Sequence, residues 1–232
     1  MYNKNKFLAI IPARGGSKRL PNKNLLELNG KPLICWSIEA GLKLNIDVVV
    51  NSDNDKILHI AKQYEDINII KRPIELATDT ATTIDVIKHT LTLKEYKNYE
   101  YIILLQPTSP LRTDRHIMEA IELLDKKQAD AIISVTEMEH SPLWTNTLPS
   151  NLDMSRFLRD EIKNKRSQDL PQYYRINGAI YICKIEKLLE ENTFFLKNNI
   201  FAYIMDRKDS VDIDSEIDFK LAEFFMNYKK GK

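Results

Sequence analysis

The chain has 232 residues and carries 34 Lys and Arg against 33 Asp and Glu, a formal net charge of +1. Hydrophobic residues make up 43% and charged residues 29%, the balance of a globular protein with one sizeable core. That charge balance excludes a nucleic-acid coat protein, which needs a broad basic surface, and no apolar run approaches the ~18 residues of a membrane span.

Cys35 and Cys183 are the only cysteines, far apart and without CxxC spacing. This argues against a zinc site or a disulfide framework and for a reducing compartment, with the cytoplasm as default. The apolar run after "MYNKNK" is too short for a secretory signal.

The first predicted strand is "FLAIIPA" at 7–13. It runs straight into "RGGSKRLPNKN", where Arg14, Lys18, Arg19 and Lys23 crowd around Gly15 and Gly16. Ligands of open α/β sheets sit beyond the carboxyl ends of strands, where this loop falls. The two glycines let the backbone approach a ligand and take positive φ, and successive N–H groups through Ser17 would nest an anion. Arg14 adds a forked donor, and the lysines add point charges. The loop is neither a GxxxxGK[ST] nor a GxGxxG motif. Two or three phosphates, as in a nucleoside triphosphate, suit it better than a solvated surface role.

A helix is predicted over 32–44, opened by Pro32, then a strand at 47–50, a helix over 54–64 and a strand at 67–70. Further on come a helix over 82–93, a strand at 101–105, a helix over 113–126 capped by Thr113, and a strand at 131–135. Residues 137–175 break this rhythm with a polar, Pro-interrupted stretch too long for an ordinary loop. Strands at 179–183 and 201–205 and a helix over 214–228, with Ser215 as its cap, complete the chain. The alternation predicts a doubly wound, mostly parallel α/β sheet. Residues 1–136 and 176–232 form its core, and 137–175 are an insertion carrying substrate contacts or an oligomer interface.

Just before the last helix, "VDID" sets Asp212 and Asp214 two apart. On an extended strand both face one way, with Cα atoms roughly 6–7 Å apart. Beside phosphate oxygens that pair suits Mg²⁺. A cap for the following helix is the plainer role for Asp214 or Ser215.

"IPARGGSKRLPNKN" resembles the N-terminal signature of the CMP-sugar synthetases, cytidylyltransferases that activate sialic acid and related nonulosonic acids. "RPIELATDTATT", "LLQPTSPLR", "YYRINGAIYI" and "DSVDIDSEIDF" match in the same order, so the resemblance spans almost the whole chain. It implies a Rossmann-like nucleotidyltransferase fold with a small protruding dimerisation excursion, and transfer of CMP from CTP to a nonulosonic acid, with Mg²⁺ and a homodimer. No esterase-like second domain is expected after Lys232.

By the resemblance, Arg14, Lys18 and Lys23 hold the triphosphate, Asn24 assists, and Arg72 and Thr83 read cytosine and its surroundings. A loop salt bridge is the alternative for Arg72. Gln106 contacts the sugar unless it merely caps its loop, whereas Arg112 reads as structural, holding Asp114 and the loop. Asp212 and Asp214 carry the metal. The sugar's anomeric hydroxyl attacks the α-phosphorus, and Asp212, Asp214 or a metal-bound hydroxide takes its proton.

Arg166 and Arg175 are candidate partners of the sugar carboxylate, Arg175 the better aligned. Tyr181, Phe194 and Phe195 match aromatic positions lining the acyl-sugar pocket, with core packing as the alternative. Trp144 stands where some sialic acid enzymes carry Lys, which favours a less hydroxylated sugar such as legionaminic acid. Other acidic sugars, 3-deoxy-manno-octulosonate or pseudaminate, and a non-catalytic nucleotide-binding module remain open.

Overall fold

The computed structural model describes residues 3–93, 96 and 98–230. Among them seven strands form the main sheet: β1 (Phe7–Pro12), β4 (Asp47–Ser52), β5 (Ile67–Lys71), β6 (Tyr101–Leu104), β7 (Ala131–Glu137), β8 (Tyr174–Lys184) and β9 (Ile200–Ile204). Their order is β5-β4-β1-β6-β8-β7-β9. Two short strands, β2 (Glu27–Leu28) and β3 (Lys31–Pro32), pair separately as a hairpin. Its Asn29-Gly30 turn has positive φ at both residues, 53° and 87°, the twist that two-residue hairpins favour.

Among the described residues six α-helices surround the sheet: α1 (Leu33–Leu42), α2 (Asp55–Ala61), α3 (Thr83–Thr92), α4 (Asp114–Lys127), α5 (Ile185–Glu191) and α6 (Glu216–Lys230). Alternate residues of β1 explain the two layers. Phe7, Ala9 and Ile11 pack with Ile38, Ile57 and Ile121 of α1, α2 and α4, while Leu8 and Ile10 pack with Ile87 of α3 and Leu188 of α5. Burial on both faces is why this strand is apolar at every position rather than at every second one. A third cluster, with Leu28, Leu33, Leu111, Ile213 and Met226, seats α6 against the hairpin and α1.

The predicted mostly parallel doubly wound sheet is present, with one reversal. β8 lies antiparallel between β6 and β7. No crossover helix precedes it: residues 138–173 contain only short 3₁₀ turns at Pro142–Trp144 and Ser167–Asp169, so the chain returns beside the strand it left. β8 also starts earlier than its apolar core, because Tyr174, Arg175 and Ile176 continue the pairing with Glu137, Thr136 and Val135. An irregularity between Ile133 and Val135 accompanies Gly178, whose φ is +74°.

Candidate active site

The carboxyl ends of β1, β5 and β6 open into a cavity of about 540 Å³. Ten residues singled out in the sequence line it together: Arg14, Ser17, Lys18, Lys23, Asn24, Arg72, Thr83, Gln106, Asp212 and Asp214. With Arg19 and Asp79 added, five cations face three carboxylates, so the lining is net positive and suits an anion.

The Gly-Gly loop works differently from the expected nest. Neither Gly15 nor Gly16 has positive φ, and the Gly15 N–H donates to Asp53 Oδ1 at 2.9 Å. What Gly15 supplies is room, since a Cβ there would lie 2.7 Å from Asn54 Nδ2. Asn54 is in turn committed as the N-cap of α2, accepting from the N–H groups of Lys56 and Ile57. Asn24 supports the loop from below, donating to the Arg14 carbonyl at 3.0 Å.

Each cation has a defined seat. Arg72 is 6% exposed, and its guanidinium grips Asn51, Nε to Oδ1 and Nη2 to the backbone O, both at 2.8 Å. This replaces the salt bridge considered from sequence, and burial pulls the Arg72 pKa down. Lys23 donates to the Ile213 carbonyl at 2.5 Å and lies 3.2 Å from Asp214, which Arg19 also reaches at 2.9 Å. Arg14 and Lys18 share Asp79, at 2.9 and 2.5 Å. These two donors hold the Asp79 carboxyl below the usual carboxylate range. Asp79 lies within the quoted "RPIELATDTATT", yet nothing in its spacing pointed to a pairing 65 residues back along the chain.

Residues 211–214 belong to no strand, a departure from the expected β geometry. The Ile213 N–H bonds the Thr108 carbonyl at 2.8 Å, and Val211 and Ile213 bury their side chains. The alternation still turns Asp212 and Asp214 to the cavity. Asp212 reaches solvent there, but the protein crowded around it raises its pKa and the charge of Asp214 adds to that, against the Thr108 hydroxyl, Lys23 and Arg175. Ser215 caps α6 as expected, and Asp218 completes the box: its Oδ2 accepts from the N–H groups of Asp214 and Ser215 at 3.1 and 2.8 Å. Asp218 is thus the residue that aims Asp214.

Gly178 was quoted without being singled out. Its position is tight: a Cβ would stand 3.0 Å from Gln106 Oε1 and 3.4 Å from Asp212 Oδ2. Asn177 beside it is buried and donates to Ser210 Oγ at 2.9 Å, tying β8 to the 210–214 segment. Arg112 is structural as expected, through carbonyls rather than Asp114, donating to Ala179 O at 2.9 Å and Gln106 O at 3.2 Å.

The remaining expected residues lie outside the cavity lining. Arg175 donates to the Ser210 carbonyl at 3.3 Å and is close enough to draw the Asp212 pKa down. Tyr181 packs on Phe194 and Phe195 with ring centroids 5.4 and 6.4 Å away. Burial raises the Tyr181 pKa, and the charge of Asp212 raises it further, which sets this aromatic group beside the cavity. Phe194 is buried in the core whereas Phe195 is exposed. Trp144 sits half-buried in a 3₁₀ turn, and Arg166 is exposed and paired with Asp169 at 3.0 Å.

Known proteins match this chain over nearly its whole length. It is 41% identical over 224 residues to the N-acylneuraminate cytidylyltransferase of Escherichia coli O18:K1:H7, covering 94% of this chain and 52% of that one. The chain thus spans about half the length of that relative. It is 33% identical to the CMP-N,N'-diacetyllegionaminic acid synthase of Legionella pneumophila, covering 95% of this chain and 96% of that one. The solved structure of CMP:2-keto-3-deoxy-manno-octonic acid synthetase complexed with CTP superposes with a TM-score of 0.67 at 17% identity, over 97% of this chain and 100% of that one, which speaks for the fold. A family model described as cytidylyltransferase matches residues 8–229, and this chain belongs to the cytidylyltransferase family.

Proposed function

We propose that the protein transfers CMP from CTP to the anomeric hydroxyl of a nonulosonic acid and releases pyrophosphate. The observation that carries this reading is the cavity itself, with loop cations on one wall and the Asp212–Asp214 pair on the other. Relatives named for N-acylneuraminate and for diacetyllegionaminic acid support the acceptor class.

Arg14, Lys18 and Lys23 would bind the triphosphate, and Arg72 and Thr83 the nucleoside. The hydroxyl oxygen of the sugar attacks the α-phosphorus, the bond to the β-phosphate oxygen breaks, and its electrons leave with pyrophosphate. Charge building on the leaving group is met by fixed cations at little reorganisation cost. The hydroxyl proton must go elsewhere. Asp214 is engaged by Arg19 and Lys23, which leaves Asp212 as the freer acceptor. Gln106, near Gly178 and Asp212, would orient the sugar, with Arg175, Tyr181, Phe195 and Trp144 as the surrounding candidates.

The residues fit Mg²⁺. Two mutually repelling carboxylates share the cavity, and among the described residues no cluster of three or more His, Cys, Asp or Glu could hold an ion alone. Asp212 and Asp214 would hold the ion jointly with phosphate oxygens, and bound there it would neutralise phosphate charge.

A homodimer is proposed from the apolar side chains exposed on and near 138–173, among them Leu148, Leu152, Met154 and Ile176. No helix among the described residues is long and apolar enough to cross a membrane. Both cysteines are buried and unpaired, which supports a cytoplasmic setting.

The test is pyrophosphate release with CTP, Mg²⁺ and a panel of N-acetylneuraminate, legionaminate derivatives, pseudaminate and 3-deoxy-manno-octulosonate. Release that requires both CTP and one acid is expected, with legionaminate derivatives favoured on account of Trp144. Silence across the panel with CTP still bound would leave only a nucleotide-binding module.

A further inference from the structure

Strand β4 runs apolar through Val48, Val49 and Val50, then places the polar Asn51 fully in the core. A buried amide is costly unless its hydrogen bonds are met, so this residue calls for an explanation. Asn51 shares the sheet face of Val49, which packs in the same layer as Ile87 of α3. Its register partners are Pro12 of β1 and Ile70 of β5.

Both polar ends of the Asn51 side chain are engaged. Its Oδ1 accepts from Arg72 Nε and its backbone carbonyl from Arg72 Nη2, both at 2.8 Å. The same carbonyl accepts from the N–H of Ala13, the residue before Arg14, at 3.0 Å. On the other side Asn51 Nδ2 donates to Thr90 Oγ1 at 3.1 Å, and the Thr90 hydroxyl donates in turn to the Val86 carbonyl at 3.0 Å. The direction of this chain is fixed. A guanidinium only donates, so the amide oxygen must face Arg72. The hydroxyl proton of Thr90 is committed to Val86, so its oxygen must accept from the amide.

Arg72 lines the transfer cavity together with Pro12, Leu76, Ala81 and Val86, apolar neighbours that suit a ring. Its Nε and Nη2 are held by Asn51, and among the described residues no group takes the Nη1 protons. A donor-only edge discriminates between pyrimidines. Cytosine offers it two adjacent acceptors, the ring carbonyl and the unprotonated ring nitrogen, whereas uracil carries an N–H at that nitrogen. Such discrimination lasts only while the guanidinium is held in one orientation.

We propose, resting on the CTP reading above, that Asn51 and Thr90 are positioning residues for base choice. They fix the Arg72 guanidinium so that its free donors favour CTP over UTP. Thr90 touches no ligand in this arrangement. It is buried on α3 and acts two hydrogen bonds away from the base.

Calorimetric titration of CTP, UTP and tripolyphosphate into the wild-type protein and three variants tests this. The wild type is expected to prefer CTP, and Asn51→Ala should cut the CTP-to-UTP affinity ratio about tenfold. Thr90→Val, which removes only the hydroxyl, should cut it about threefold, and Thr90→Ser should restore it. Tripolyphosphate, which has no base, should bind all four proteins alike. Should Asn51→Ala fail to fold, the two Thr90 variants decide. A CTP-to-UTP ratio unchanged in folded Thr90→Val would overturn the proposal, as would a parallel loss of CTP, UTP and tripolyphosphate, the mark of a merely structural role. A wild type without any preference for CTP would overturn the CTP reading itself, and this proposal with it.

Discussion

At the scale of single residues, Asp79 has the clearest consequence. It occupies Arg14 and Lys18, the two cations proposed above to bind the triphosphate, so on that reading the carboxylate and the phosphates compete. Asp79→Asn should therefore bind CTP several-fold more tightly, most visibly at low salt, in calorimetric titration. Lys23 has the opposite standing. It is pinned between Ile213 and Asp214 with a side chain only 12% exposed, and Lys23→Ala should lower kcat about 10²-fold in the pyrophosphate assay. The loop cations were legible because four of them surround a glycine pair right after an apolar run. Asp79 was not, because an acidic residue in a polar loop carries no local sign of which distant cation it will meet. Cysteine behaviour is also set by place: burial pushes the Cys183 thiol up to about 12. Neither that thiol nor Cys35, raised by the same cause, should react with a thiol reagent at pH 8 until the protein is unfolded.

Among the elements, the helix termini and β8 matter most. Asp218→Ala removes the acceptor that holds the N–H groups of Asp214 and Ser215, and should cost about 1 kcal/mol in urea unfolding along with a loss of turnover from the misaimed carboxylate. Gly178→Ala combines backbone strain of about 1–2 kcal/mol at φ +74° with crowding of Gln106 and Asp212, so activity should fall further than stability does. Strand and helix positions were readable from apolar periodicity, and Ser215 and Thr113 from their place before helical patterns. The direction of β8 was not, since "AIYIC" looks alike whichever way it runs. Its first residues, Tyr174 to Ile176, are exposed and polar in part, so their pairing with β7 left no apolar signature. The "VDID" segment alternates like a strand without a neighbour to pair with, and alternation alone cannot tell the two apart.

On the scale of the whole molecule, partial burial holds several ionisable groups in their neutral forms. Burial lifts Tyr101 from 10.0 to about 12, with Glu100 adding to the effect, and Tyr64, Tyr99 and Tyr203 are raised by burial as well. In the unfolded chain these phenols ionise near 10.0 and the cysteines near 9.0. Above those values the unfolded state loses protons that the folded state keeps, so stability is whole below about pH 9 and declines as pH climbs toward 12. Urea midpoints at pH 8 and pH 11 should differ accordingly, with the lower midpoint at pH 11.

The reversal of β8 also bears on how this protein could be re-engineered. Glu137 and Tyr174, the residues flanking the 138–173 excursion, are register partners in neighbouring strands. Whatever joins them needs only to leave and return across one strand spacing, and the sheet beneath is indifferent to its length. Doubling such a loop costs only ~0.6 kcal/mol of closure entropy. The excursion is therefore a cassette: a segment of different length and chemistry can be spliced between these two residues while the sheet and the cavity at its carboxyl ends stay fixed.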